Sequence, residues 1–497
     1  MLYTQIVERW AKFEWKIPIN TPLQLTDRTG LKVTFNHTGR YFETEGYYDG
    51  SGAITVRFMP DQVGEWAFQA EGAMFPTGIF SGKFQCVASS QKQHGRVQIM
   101  NQTRFTYEDG TTFIPMGTWL EEWHVQEEAR RLQTIETLQA SPFNKVNMLV
   151  MPYRSEAVTQ QGYFPFVSTA EGKYDGNQLH LPYFDLLDKS IARLAELGIQ
   201  VELVLFSPKV EQLGLIHLTE EQKHHYIRYI VARYAAYANV WWTISDNGDQ
   251  VIDDTEQQLL PLIRTIKEND YGHHLLTVHG VTNAYNWGLP TLTHISLKDE
   301  DIKKASDFTL QYEKPVVLEH CGREGNGATP DDALLAEEMT YHIWEAIMRG
   351  GFASHGESML QADGTTWSVH GGLLVGDSIA RLTFLQKIIS EAPHDVSYSR
   401  LRHDASTLEE RGHYYLQYFG PHRFSSRAFM MPEGKYEVDI IDTWNMTITT
   451  LEQAFEGRFD ITLLGELYYA LRLRKVGTGQ LQGDVQQMVM QDVDQVD

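Results

Sequence analysis

The sequence predicts a (β/α)8 barrel flanked by an N-terminal β-sandwich and a second small β domain. Three observations predict it. Eight short apolar segments between Phe113 and Ile389 alternate with mostly helical ones. Residues 4–90, and those after Pro393, alternate with period two instead. The chain of 497 residues is also too long for one ordinary core.

In chain order, LKVTFNHT (31–38), AITVRFMP (53–60) and GEWAFQAEG (64–72) are short alternating runs broken by turn signals such as YDGSG (48–52). They predict an immunoglobulin-like sandwich over residues 1–92, closed by the polar linker VASSQKQHGR. The barrel is expected over 93–394. Its strand candidates are FIPMGTWL (113–120), NKVNMLVMP (144–152), VELVLFSP (201–208), VWWTIS (240–245), LLTVHG (275–280), THISLKD (293–299), KPVVLEH (314–320) and GGFASHGES (350–358). Helices are expected at 127–140, 183–198, 219–237, 256–269, 331–349 and 378–389. Thr219 is a good N-cap for the third, and Gly198 a C-cap for the second. HYYLQYFG (413–420), YEVDIIDTW (436–444), GRFDITL (457–463) and YYALRLRK (468–475) predict the second β domain over 395–477. The Gln-rich, acidic stretch 478–497 reads as a frayed tail or a homo-oligomer contact.

Composition narrows the partners. A net charge of −23 repels nucleic acid and anionic membrane surfaces, so a neutral or cationic partner fits better. Two distant cysteines, Cys86 and Cys321, supply no disulfide framework. The N-terminal residues lack the basic-then-apolar pattern of a signal peptide, and no run is long enough to span a bilayer, so a cytoplasmic location is expected. No HExxH pattern or Cys/His cluster predicts a metal, and no cofactor is expected.

Chemistry-bearing side chains gather at the predicted strand ends: Trp119 and Glu121 at the first, Trp242, Asp246, Asn247 and Asp249 at the fourth, His279 at the fifth. Glu319, His320 and Glu324 follow at the seventh, His355 and Glu357 at the eighth. A packed barrel needs only branched apolar residues inside, so this convergence predicts a ligand cleft at the C-terminal ends of the strands. Trp119 and Trp242 are candidates for stacking on a ligand ring. Trp119, Glu121, Trp242, Asp249, His279, Glu324 and His355 are the expected binding residues.

The run of RFMPDQVGEWAF, FIPMGTW, SPFNKVNMLVMP, ARYAAYANVWWTIS, KPVVLEHCGREGN, RGGFASHGES and LLVGDSIARLTFLQKII resembles the glycosidases with an apiosidase-like barrel, over nearly the whole chain. The resemblance implies a relative of the clan-A-type retaining glycoside hydrolases, with a carbohydrate ligand. In that family the fourth and seventh strands end in glutamates, the acid/base and the nucleophile. Here Asn247 and His320 occupy those positions, with acids one residue earlier at Asp246 and Glu319. His279 and the His355–Glu357 segment match the family. Three readings follow: a glycoside hydrolase using a rearranged set drawn from Asp246, Asn247, Glu319, His320 and Glu357, a carbohydrate-binding protein that has lost hydrolysis, or other chemistry on this barrel with His320 as base or nucleophile. Adjacent strand residues face opposite sides, so only an altered strand end would aim the displaced acids into a cleft.

Overall fold

A computed structural model describes residues 5–477 apart from 20–28, 73–78, 90–92, 153–162, 172, 208–216, 247–254, 282–284, 299–300, 328, 331–332 and 402–403. Asn247 and Asp249 therefore lie outside the described residues, as does the tail 478–497. The chain divides into two compact units. The first is residues 1–301, 307–334 and 352–376, and the second is 302–306, 335–351 and 377–497.

The first unit holds the sandwich and the barrel strands. In the sandwich, a five-stranded sheet runs in the order Ile6–Glu8, Phe80–Val87, Gly64–Glu71, Lys32–His37, Arg40–Glu45. A three-stranded sheet of Phe13–Pro18, Ala53–Phe58 and Tyr47–Tyr48 accompanies it. Alternation explains the packing: Phe13, Trp15, Val33, Phe35, Trp66, Phe68 and Phe84 each take the inward position of their strand and form one core.

The barrel strands are β1 (Met116–Trp119), β2 (Lys145–Leu149), β3 (Gln200–Phe206), β4 (Val240–Ser245), β5 (Leu276–Gly280, interrupted at Val278), β6 (Ile295–Leu297), β7 (Val316–Leu318) and β8 (Phe352–His355). All neighbours pair in parallel, and β8 pairs with β1. The two halves of β5 pair with β4 and β6 respectively, which closes the ring. The fold is thus the predicted (β/α)8 barrel with β-rich regions before and after it.

Local chemistry sets the helices between the strands. Thr219 accepts from the Gln222 N–H, and the Gln222 side chain answers the Thr219 N–H, starting the helix Glu220–Tyr234. Gly198, at φ +73°, ends Leu181–Glu196 in the left-handed conformation that a side chain disfavours. Between β2 and the helix Leu181–Glu196 lies a hairpin of Phe166–Ser168 and Tyr174–Leu179, and a further helix spans Lys304–Tyr312.

A three-stranded sheet of Val97–Met100, Arg104–Tyr107 and Thr112–Phe113 brings Val97, Phe105 and Phe113 against Trp241, Leu275 and Val317 at the N-terminal end of the barrel strands. The sandwich is joined to the barrel helices by a buried ion network. Asp188 accepts from Arg57 of the sandwich at 2.7 Å and from Arg233 of a barrel helix at 3.0 Å. Tyr47 lies beneath both guanidinium groups.

In the second unit, helices Ala336–Met348 and Ser378–Ser390 accompany a six-stranded sheet ordered Ser397–Tyr398, Ser406–Glu410, Tyr414–Tyr418, Tyr469–Lys475, Tyr436–Asp442, Thr447–Thr450. Ser426–Met430 and Arg458–Thr462 form a second, two-stranded sheet. Phe419, Tyr436, Val438, Ile461, Leu471 and Leu473 make its core. Among the described residues no helix is long and apolar enough to cross a membrane.

Candidate active site

The interior of the barrel is ionic. A charged side chain in the middle of an apolar parallel strand has no water to turn to and must find a partner inside. Lys145, in β2, reaches Glu202 of β3 at 2.5 Å, Glu319 after β7 at 2.8 Å and the Asn147 side-chain oxygen Oδ1 at 2.7 Å. Glu319 also accepts from the Asn147 amide at 2.6 Å and from the Ser354 hydroxyl at 2.5 Å. Gly117 in β1 makes room for that hydroxyl, since a side chain there would collide with it. Above this lies His279, whose ring bonds Glu202 at 2.8 Å and stands 3.5 Å from Asp246. Lys298 pairs with Asp246 at 2.6 Å.

Electrostatics bears on the charge state of Lys145, Glu202, Asp246 and His279. Burial alone would neutralise Lys145, but Glu202 and Glu319 outweigh it and raise its pKa. The same contest, won by Lys145 and His279, holds Glu202 well below the usual carboxylate range. Burial pushes Asp246 up, yet Lys298 and His279 bring it far down. His279 is raised to about 9 because Glu202 and Asp246 overcome its burial, whereas burial takes His294 down to about 3.

A raised histidine pKa stabilises the fold fully below its unfolded value and loses that contribution as pH rises through the folded one. Stability of the barrel is therefore expected to fall between about pH 6.5 and about pH 9. Urea midpoints across that window should slope down for the wild type and flatten for His279→Gln.

The structure brings Asp246, His279 and Glu319 into this one set. Glu319 enters the interior by ordinary strand parity, two residues beyond Val317, while Asp246 turns inward just past the end of β4. Glu202 and Glu319 offer oxygens within 4.8 Å, near the roughly 5 Å of a retaining pair. Lys145 nevertheless bonds both, and both are fully buried.

Trp119 is 2% exposed, its indole N–H given to the Glu319 carbonyl and Lys298 5.0 Å over its ring, so it is not an open stacking face. Trp242 is not in the cleft. Its neighbour Trp241 faces inward below Lys145, so parity sends Trp242 outward, where its N–H bonds Asp270 at 3.0 Å. Glu121 pairs with Arg323 at 3.1 Å, and His320 is half-buried at the end of β7.

Glu324, His355 and Glu357 form a second buried group. Ser354 faces the interior, so its neighbour His355 faces the other way, with its ring stacked on Phe143 at 5.2 Å. Glu357 accepts the Val375 and Gly376 N–H groups at 3.1 and 2.9 Å, and burial still raises its pKa.

Lys145, Asn147, Glu202, Lys298 and Ser354 were not among the expected site residues. For Lys145, Asn147 and Glu202 the signal was present in the polar positions of KVNML and QVELVLF, strands buried at every residue.

The fold is that of the glycoside-hydrolase class of barrel with flanking β domains, as the likenesses show. More narrowly, residues 100–313 match the family model described as "Apiosidase-like, catalytic domain". Residues 6–73 and 403–474 match two domains of unknown function, DUF5060 and DUF5605. A solved structure named "putative glycoside hydrolase" from Bacteroides vulgatus is 27% identical with a TM-score of 0.87, covering 95% of this chain and 100% of that one. A family 5 glycoside hydrolase from the same organism shares the fold at 15% identity and a TM-score of 0.60, covering 77% of this chain and 94% of that one. Among curated proteins none matches.

Proposed function

We propose that the protein binds an oligosaccharide or glycoside at the C-terminal ends of its barrel strands and has lost ordinary retaining hydrolysis. One observation carries this: the acids nearest the family's two glutamate positions are each ion-paired with a lysine, Asp246 with Lys298 and Glu319 with Lys145. A nucleophile must reach the anomeric carbon, and an acid/base must hold a proton at working pH. Asp246 is held ionised, and Glu319 is buried beneath the strand ends.

A second reading, hydrolysis with Glu357 as the acid, is favoured by the rise in that carboxyl's pKa. Against it, both Glu357 oxygens already accept backbone N–H groups.

Calorimetric titration with a panel of oligosaccharides should show saturable binding, and aryl glycosides of the same sugars should not turn over. The double substitution Asn247→Glu with His320→Glu should raise turnover by about 100-fold or more, on the scale of restored proton transfer. Wild-type turnover abolished by Glu357→Gln would favour the second reading. Turnover surviving Asp246→Asn, Glu319→Gln and Glu357→Gln would overturn both.

A further inference from the structure

We propose that Lys298 is a displaceable cover over Trp119, and that the ring face beneath it is where a sugar ring stacks. The inference rests on the binding reading above and names the contact that makes it.

Trp119, the last residue of β1, touches groups from several other strands. Leu149 of β2 and Val204 of β3 pack with it, His279 of β5 meets it edge-on with ring centroids 5.6 Å apart, and its indole N–H is held by the Glu319 carbonyl beyond β7. Each of these neighbours is buried and sits in a strand or at a strand end. Lys298 differs from them. Its side chain is 13% exposed and reaches from the end of β6 to stand 5.0 Å over the ring.

The face of an indole carries negative potential, so the same electrostatics draws an ammonium ion and the electropositive C–H face of a sugar ring. Lys298 thus stands where a sugar would. Among the described residues one hydrogen bond anchors its ammonium there, 2.6 Å to Asp246.

Displacement leaves no stranded charge. The ammonium swings into water on a long, flexible stem, and Asp246 keeps the His279 ring 3.5 Å away, protonated at neutral pH. Lys145 has no such freedom, since it is fully buried and bonds two carboxylates. The cover lowers apparent affinity by the fraction of time that the ring is open, so removing it tightens binding.

The test uses the full chain. In acrylamide quenching without any sugar, Lys298→Ala should gain a quenchable tryptophan that Lys298→Ala with Trp119→Phe lacks. Lys298→Arg, which keeps both cover and ion pair, should match the wild type. Calorimetric titration with the methyl glycosides of glucose, galactose, mannose and xylose should show about fivefold or tighter binding to Lys298→Ala, and no gain in the double variant. No new quenchable tryptophan overturns the cover. Sugar bound no more tightly by Lys298→Ala than by the wild type also overturns it and leaves the binding reading standing, whereas sugar bound by neither sinks both. If Lys298→Ala does not fold, Lys298→Ala with Asp246→Asn removes the facing carboxylate as well and is read in its place.

Discussion

Replacing Lys145 by Met lowers the stability of the barrel by about 3–5 kcal/mol, the usual cost of removing one partner from a buried ion pair. Methionine fills much the same volume, so packing accounts for little of the loss. What remains is Glu202 and Glu319, both fully buried, with their carboxylate oxygens within 4.8 Å and the shared ammonium gone. Urea unfolding followed by tryptophan fluorescence measures this. Adding Glu319→Gln to Lys145→Met should recover part of the loss, since one of the stranded charges is then removed. A single-variant loss below about 1 kcal/mol, the scale of a surface pair, would mean that the ion set is not held as described.

Asp188→Asn has an effect of similar size, about 3–5 kcal/mol, for the opposite charge. Asp188 is the counter-ion shared by Arg57 and Arg233, whose side chains are 7% and 1% exposed. Without it the two guanidinium groups, both over the Tyr47 ring, lose their shared counter-ion, with Glu14 left to offset Arg57 and Asp185 to offset Arg233. Glu196→Gln is the control. It breaks an exposed pair with Arg193 and should cost less than about 1 kcal/mol. The same urea experiment compares the two, and equal losses would refute the network's role in joining sandwich to barrel.

Much of the fold was legible because its signals are local. Thr219 with Gln222, Gly198 after its helix, and the apolar runs of the eight strands each specify a turn or an element from a few neighbouring residues. The site was less legible because its partners are distant. Lys145 and Glu319 are 174 residues apart, and nothing in either strand names the other. Parity is the other obstacle. Trp241 and Trp242 are adjacent and chemically alike, yet one lies inside the barrel and the other against Asp270, and a shift of one residue in the strand reading exchanges them. The displaced acids Asp246 and Glu319 were found from sequence, but the lysines that pair with them were not.

The ionic interior also bears on how the chain folds. Its charged members come from strands or strand ends β2, β3, β4, β5, β6 and β7, and Glu319 beyond β7 meets its counter-ion Lys145 in β2 only when parts of the chain distant in sequence have come together. A partly closed ring would carry unmatched charges into a medium of low dielectric, where they are costly. Closure is therefore driven toward a single concerted step, in which half-formed barrels are selected against by the same groups that hold the finished one together.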